Sequence, residues 1–149
     1  MKELDKLSKS ILEELNKNAK TPIHIIAKRL GAPITTVHHR IKKLEERGII
    51  KSYKPVIDYV KAGKPIAAFI MITVDYNSLK NKKISQYDLM RSLNNIEHVV
   101  SSAMVTGISD IIIKIRVASM EELNDFVTIK LRNIDGIEKT NTAIILNEA

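Results

Sequence analysis

The stretch TPIHIIAKRLGAPITTVHHRIKKLEERGII, residues 21–50, holds two short helices and the turn that joins them. Thr21-Pro22 reads as a helix cap followed by proline at the first helical position, where the missing N–H costs nothing. Ile25, Ile26 and Leu30 give this helix a buried side, and Ala27 is small enough to let another helix cross closely. Gly31 supplies the left-handed conformation common just past a helix end. Pro33 opens the next helix, in which Ile34, Val37, Ile41 and Leu44 recur at three-four spacing and read as core. The opposite face carries Thr35, Thr36, His39, Lys42 and Lys43, with His38 and Arg40 on its flanks. Gly48 stops the helix, and Ile49 to Lys54 alternates as a short strand ending at Pro55.

Upstream, Leu7, Ile11, Leu12 and Leu15 share one helical face, with Asp5 placed as its cap. Three helices and a strand in this order predict a winged helix-turn-helix. The exposed side of its last helix has the chemistry for a major groove. Threonine hydroxyls and methyls, histidine donors and Arg40 suit base edges and phosphates. Residues 1–54 hold 13 Lys and Arg against 6 Asp and Glu, whereas residues 55–149 hold 11 of each. The whole net charge of +7 therefore sits in the first third, which points to a polyanionic partner there and a different task downstream. The 149 residues divide into a DNA-binding domain over 1–54, a linker over 55–64 and a second domain over 65–149.

Other classes fall away. With no cysteine there are no disulfides, thiolate nucleophiles or cysteine-based metal centres. The first residues lack the apolar core of a signal peptide, and no apolar run approaches the ~18–20 residues of a membrane span. A cytoplasmic protein with no membrane partner is expected. The four histidines include no His-x-x-x-His pair, so they read as surface or groove-facing residues, with no metal and no cofactor.

The neutral remainder begins with a strand over Pro65 to Tyr76, apolar on both faces. A lysine-rich loop is expected over Asn77 to Lys83, then a helix capped by Ser85 with Asp88 three residues on. Strands follow over Val99 to Val105 and Ile111 to Val117, joined by the turn Gly107-Ile108-Ser109-Asp110. Ser119 to Glu122 forms a second capping box, with Leu123, Phe126, Val127 and Leu131 on one side of its helix. A last strand runs from Lys139 to Leu146. The order βαββαβ predicts an α+β, ferredoxin-like domain with both helices on one face of an antiparallel sheet. The other face stays bare, with Ile111, Ile113, Ile115 and Val117 offered to one side and no spare segment long enough to cover it. Two sheets packed face to face would solve this, so a homodimer is expected.

The segments Ile26-Ala27-Lys28-Arg29-Leu30-Gly31, Thr36 through Ile50, Gly107-x-x-Asp110 and Gly136-Ile137-Glu138-Lys139-Thr140 together resemble the Lrp/AsnC transcription regulators, over essentially the whole chain. The resemblance implies a homo-oligomeric regulator of double-stranded DNA, built as dimers that assemble into tetramers or octamers. It also implies a free amino acid as effector near the turn between the second and third strands, here Thr106, Gly107, Ser109 and Asp110. Read alone, Gly107 and Asp110 are also what an ordinary β-turn uses. The sequence departs from the family at Ala32, where a serine usually precedes the proline and would cap the helix for ~1 kcal/mol. Two other readings are an architectural DNA-organising protein without effector and an enzyme similar to the siroheme decarboxylases. Against the enzyme, no nucleophile–base pair is visible.

Overall fold

The computed structural model describes residues 4–148; residues 1–3 and 149, the outer ends of the two expected domains, lie outside the described residues. The chain divides after Val56 into two compact units.

The first unit holds α1 (Lys6–Lys17), α2 (Ile23–Leu30) and α3 (Ile34–Glu46). Asp5 caps α1, its carboxylate accepting from the Ser8 N–H at 3.1 Å. Neither α2 nor α3 has a side-chain cap, because each proline lies one position earlier than expected: Pro22 and Pro33 are the cap residues themselves. Position 32 is therefore outside the helix, and Ala32 forfeits no cap of the expected kind. Ile11, Ile26, Ala27, Val37, Ile41 and Leu44 form the core where the three helices meet. Ile34, expected in that stripe, is 55% exposed, since α3 begins there and its first turn overhangs the core. The expected strand over 49–54 does not form among the described residues. The N–H groups of Ile49 and Ile50 both turn back to the Leu44 carbonyl, and the unit holds no second strand with which an extended segment could pair.

The second unit holds β1 (Ile66–Val74), α4 (Tyr76–Lys82), α5 (Gln86–Asn94), β2 (Val99–Met104), β3 (Ile111–Val117), α6 (Met120–Asp125) and β4 (Ile137–Ile144). The sheet is antiparallel in the order β2-β3-β1-β4, the ferredoxin-like arrangement. Register runs from Ile66 opposite Val117 to Ile72 opposite Ile111, and from Ala68 opposite Ile144 to Val74 opposite Ile137. Ser85 and Asp88 form the expected capping box. At α6 the box is displaced: Ser119 accepts from the Glu122 N–H, but the Glu122 carboxylate takes the N–H of Ala118. Beyond α6 the chain continues as a π-turn, Phe126–Lys130, and a short 3-10 turn, Leu131–Asn133.

Two expectations reverse. The lysine-rich segment 77–83 is not a loop but α4, capped by Asp75, whose side chain accepts from the N–H groups of Asn77 and Ser78. Its one apolar anchor, Leu79, is buried in the main core. Ile111, Ile113, Ile115 and Val117 lie on the covered sheet face, each fully buried against Leu89, Leu93, Leu123, Phe126 and Leu131. Alternation puts the other set, Ile112, Lys114 and Arg116 with Phe69 and Met71, on the open face. Two segments reach that face. Glu148 pairs with both Lys114 and Arg116, and the Arg116 guanidinium lies 4.7 Å from the Tyr59 ring centroid. The expectation that nothing remains to cover it therefore holds only in part.

Candidate nucleic-acid interface and effector turn

Helix α3 is held from behind by its apolar stripe, and Glu14 fixes the frame around it. Glu14 is only 8% exposed, yet it is satisfied by Lys17 Nζ and by Arg29 Nη1, each at 2.7 Å, so α1 and α2 are tied by a charged bond as well as by core packing. Those two donors hold its carboxyl below the usual range, Lys17 first. A carboxylate with two charged donors stays ionised in a small domain that could not bury it unpaired.

The outward side of α3 presents Thr35, His39, Lys42 and Lys43 to solvent, with Thr36 half-buried at the edge. Thr35, His39 and Lys43 make no ion pair or side-chain hydrogen bond among the described residues. Lys42 lies 3.8 Å from Glu46, one turn on, a pair too exposed to hold it firmly. Arg40 behaves differently. Its guanidinium pairs with Asp5, the cap of α1, so it is engaged within the unit rather than free at the outer face. After α3, the Tyr53 hydroxyl donates to Glu45 at 2.7 Å, and burial with that carboxylate pushes the phenol up to about 12.

In the second unit the chain turns over residues 105–110. The Val105 N–H donates to the Asp110 carbonyl and the Asp110 N–H to the Ile72 carbonyl, both at 2.9 Å, which pins the turn against β1. Each oxygen of the Asp110 carboxylate has a partner: Oδ2 accepts from the Val74 N–H at 2.9 Å and Oδ1 from the Tyr76 hydroxyl at 2.8 Å. Donating to that charge pushes the Tyr76 phenol above its ordinary value. Gln86 Nε2 donates to the Asp110 carbonyl at 3.2 Å. Gly107 takes φ +130°, a conformation that side chains rarely adopt.

The four expected effector residues thus divide. Thr106 and Gly107 are exposed at the tip beside Ile108, while Ser109 is 7% exposed and Asp110 is folded into the sheet. Tyr76 and Gln86 join this cluster, and the sequence reading missed both. Asp75 as a cap was the available signal, since a helix starting at 76 brings Tyr76 to the end of β1, beside the turn. His24, His38 and His39 are exposed as expected, but the His98 side chain is only 8% exposed. Among the described residues no group of three His, Asp or Glu could hold a metal ion, and no helix is long and apolar enough to cross a membrane.

A helix-turn-helix unit with an outward basic helix, followed by a ferredoxin-like unit with a fixed inter-strand turn, defines a DNA-binding regulator with a separate ligand domain. Residues 4–51 match the family described as winged helix-turn-helix DNA-binding, and residues 67–149 match the Lrp/AsnC ligand binding domain. The chain is 38% identical over 141 residues to an uncharacterised HTH-type transcriptional regulator of Pyrococcus furiosus, covering 95% of this chain and 91% of that one. It is 37% identical over 144 residues to the HTH-type transcriptional regulator FL11 of the same organism, covering 96% and 89%. The structure of Escherichia coli AsnC superposes with a TM-score of 0.81 at 27% identity, over 99% of this chain and 95% of the other. A transcriptional regulator of Neisseria meningitidis in complex with L-Met shares the fold, with a TM-score of 0.87 at 22% identity, over 98% and 92%. The chain belongs to the Lrp/AsnC family and is a DNA-binding transcription regulator.

Proposed function

We propose that this protein is a cytoplasmic, homodimeric or larger regulator that reads a specific double-stranded DNA site and answers to a free amino acid, and that it is not an enzyme. Residues 1–54 bind DNA, 55–64 link, and 65–149 bind effector and assemble the oligomer. Thr35, Thr36 and His39 meet base edges, Lys42 and Lys43 meet phosphates, and Arg40 contributes from the flank. The observation that carries this is the outward side of α3: Lys43, His39 and Thr35, unpaired among the described residues, on a helix whose back is locked into the core.

At the β2–β3 turn, an amino-acid carboxylate would be received by the exposed backbone around Thr106 and Gly107. Asp110 and Ser109 would act by holding the turn in shape, since the Asp110 carboxylate ties the turn to Val74 of β1 and Tyr76 of α4. Dimers pack by their open sheet faces, where Phe69 and Met71 lie, and go on to tetramers or octamers. Two helix-turn-helix units in one dimer suit half-sites ~34–36 Å apart.

Fluorescence anisotropy on the DNA upstream of its own gene and on a scrambled duplex, across several salt concentrations and with an amino-acid pool including L-Met, tests the reading. Tighter binding to the upstream site that survives physiological salt, and that shifts with the pool, supports it. Equal binding to both duplexes that collapses with salt means a DNA-organising protein instead.

A further inference from the structure

Asp5 does more than its place at the start of α1 requires. As the cap, its Oδ1 accepts from the Ser8 N–H and its Oδ2 from the Ser8 hydroxyl, both at 3.1 Å. Ser8 is buried, so the carboxylate is seated by its own helix before any other group reaches it. Oδ2 then accepts from Arg40 Nη1 as well, 35 residues further on in α3. A helix cap needs only an acceptor, which an amide or hydroxyl oxygen supplies equally well. The negative charge of Asp5 is therefore not needed for the cap, and the group it meets is Arg40.

Arg40 is no outlying cation. It stands four residues after Thr36 and three before Lys43, so the three side chains are neighbours on the helix surface. A guanidinium has several N–H donors in a rigid fork suited to phosphate, and among the described residues Asp5 is the acceptor this one meets. Both side chains of the pair remain in contact with solvent, which screens it and keeps it weak. The three helices are already joined by their apolar core and by the Glu14–Arg29 bond, so their packing does not depend on this pair. What the pair does change is the charge that α3 can present.

We infer that Asp5 is a specificity-setting residue whose carboxylate stands in for phosphate and withholds Arg40 from the DNA backbone. Phosphate contacts are alike on every sequence, so withholding one lowers affinity for DNA at large. Thr35, Thr36 and His39 are then left to decide between sites. Repulsion between the Asp5 carboxylate and nearby phosphates acts in the same direction. The inference rests on the reading that α3 faces DNA.

The test is fluorescence anisotropy of the full chain on a mixed-sequence duplex over a salt series, with thermal melting of every variant. Asp5→Asn keeps the cap and removes the charge. It should bind the duplex about fivefold more tightly at low salt, with a salt slope steeper by about 0.9, the equivalent of one more phosphate contact. Asp5→Ser, a second uncharged cap, should show the same gain, so a fault peculiar to the amide does not decide the matter. In an Arg40→Ala background the gain from Asp5→Asn should shrink to about twofold or less, which separates the pair from bulk charge. Lys43→Ala is the control for the groove. Unchanged or weaker binding by both Asp5 variants, beside a loss in Lys43→Ala, overturns the inference and leaves Asp5 a cap alone. An undiminished gain in the Arg40→Ala background overturns it too, assigning the effect to net charge. If Lys43→Ala changes nothing, the groove reading itself fails and the inference falls with it.

Discussion

Arg40 on α3 is paired with Asp5, the cap of α1, so the helix expected to enter a groove spends one of its cations on its own domain. Arg40→Ala should therefore reduce DNA affinity less than Lys43→Ala. Lys43 has no competing partner among the described residues, and its loss should lower the slope of log affinity against log salt by about one. Anisotropy over a salt series separates the two. A larger effect from Arg40 would mean that the Asp5 contact opens on DNA.

The acid response of the first unit follows from Asp5 and Glu14. Hydrogen bonds from Ser8 to Asp5, and from Lys17 and Arg29 to Glu14, hold both carboxyls below their ordinary values. A depressed native pKa adds stability that is complete above the unfolded value, near 4, and is lost as pH falls through the native one. The stability of the full chain to urea should fall as pH drops below about 4.5, and Glu14→Gln should flatten that slope. An unchanged slope in the variant would show that Glu14 is not the group responsible.

Asp110→Ala should spare DNA binding, abolish any amino-acid response and leave the buried Val74 N–H without its acceptor, at a cost of about 1–3 kcal/mol. Tyr76→Phe removes the hydroxyl alone and should blunt the response with little loss of stability. Thermal melting together with effector-dependent anisotropy distinguishes them. A full response in both variants would falsify the placement of the effector at this turn.

Gly136 takes φ +90°, and a Cβ there would collide with Leu79 Cδ2 from α4. Gly136→Ala should destabilise the second unit by about 1–3 kcal/mol, from backbone strain and forced repacking. Gly63→Ala, with φ +79° but open space around it, should cost less. Denaturant midpoints of the two variants give the comparison.

Much of this architecture is legible in the residues. Val37, Ile41 and Leu44 mark the back of α3, and the 111–117 run marks β3 to the residue, because three-four and two-fold spacing report a buried face directly. Other features depend on what a spacing pattern omits. Helix α4 has a single apolar anchor, so its existence rests on the Asp75 cap and on the space Gly136 leaves for Leu79. Strand alternation separates Ile113 from Lys114 but cannot say which side the helices take. The Arg40–Asp5 pair and the Tyr76–Asp110–Gln86 cluster join positions 35, 34 and 24 residues apart, and no local pattern announces them.

The strand order carries one more consequence. The two most apolar strands, β1 and β3, lie in the middle of the sheet, and the serine- and threonine-bearing β2 and β4 take its rims. A chain cut short before Ile137 would leave Ile66–Val74 with an unprotected ladder of N–H and C=O groups, nine residues long and uninterrupted by charge or proline. Such an edge recruits other chains. The last strand therefore acts as a safeguard against aggregation during synthesis, and the chain is exposed to that hazard until β4 emerges and pairs with β1.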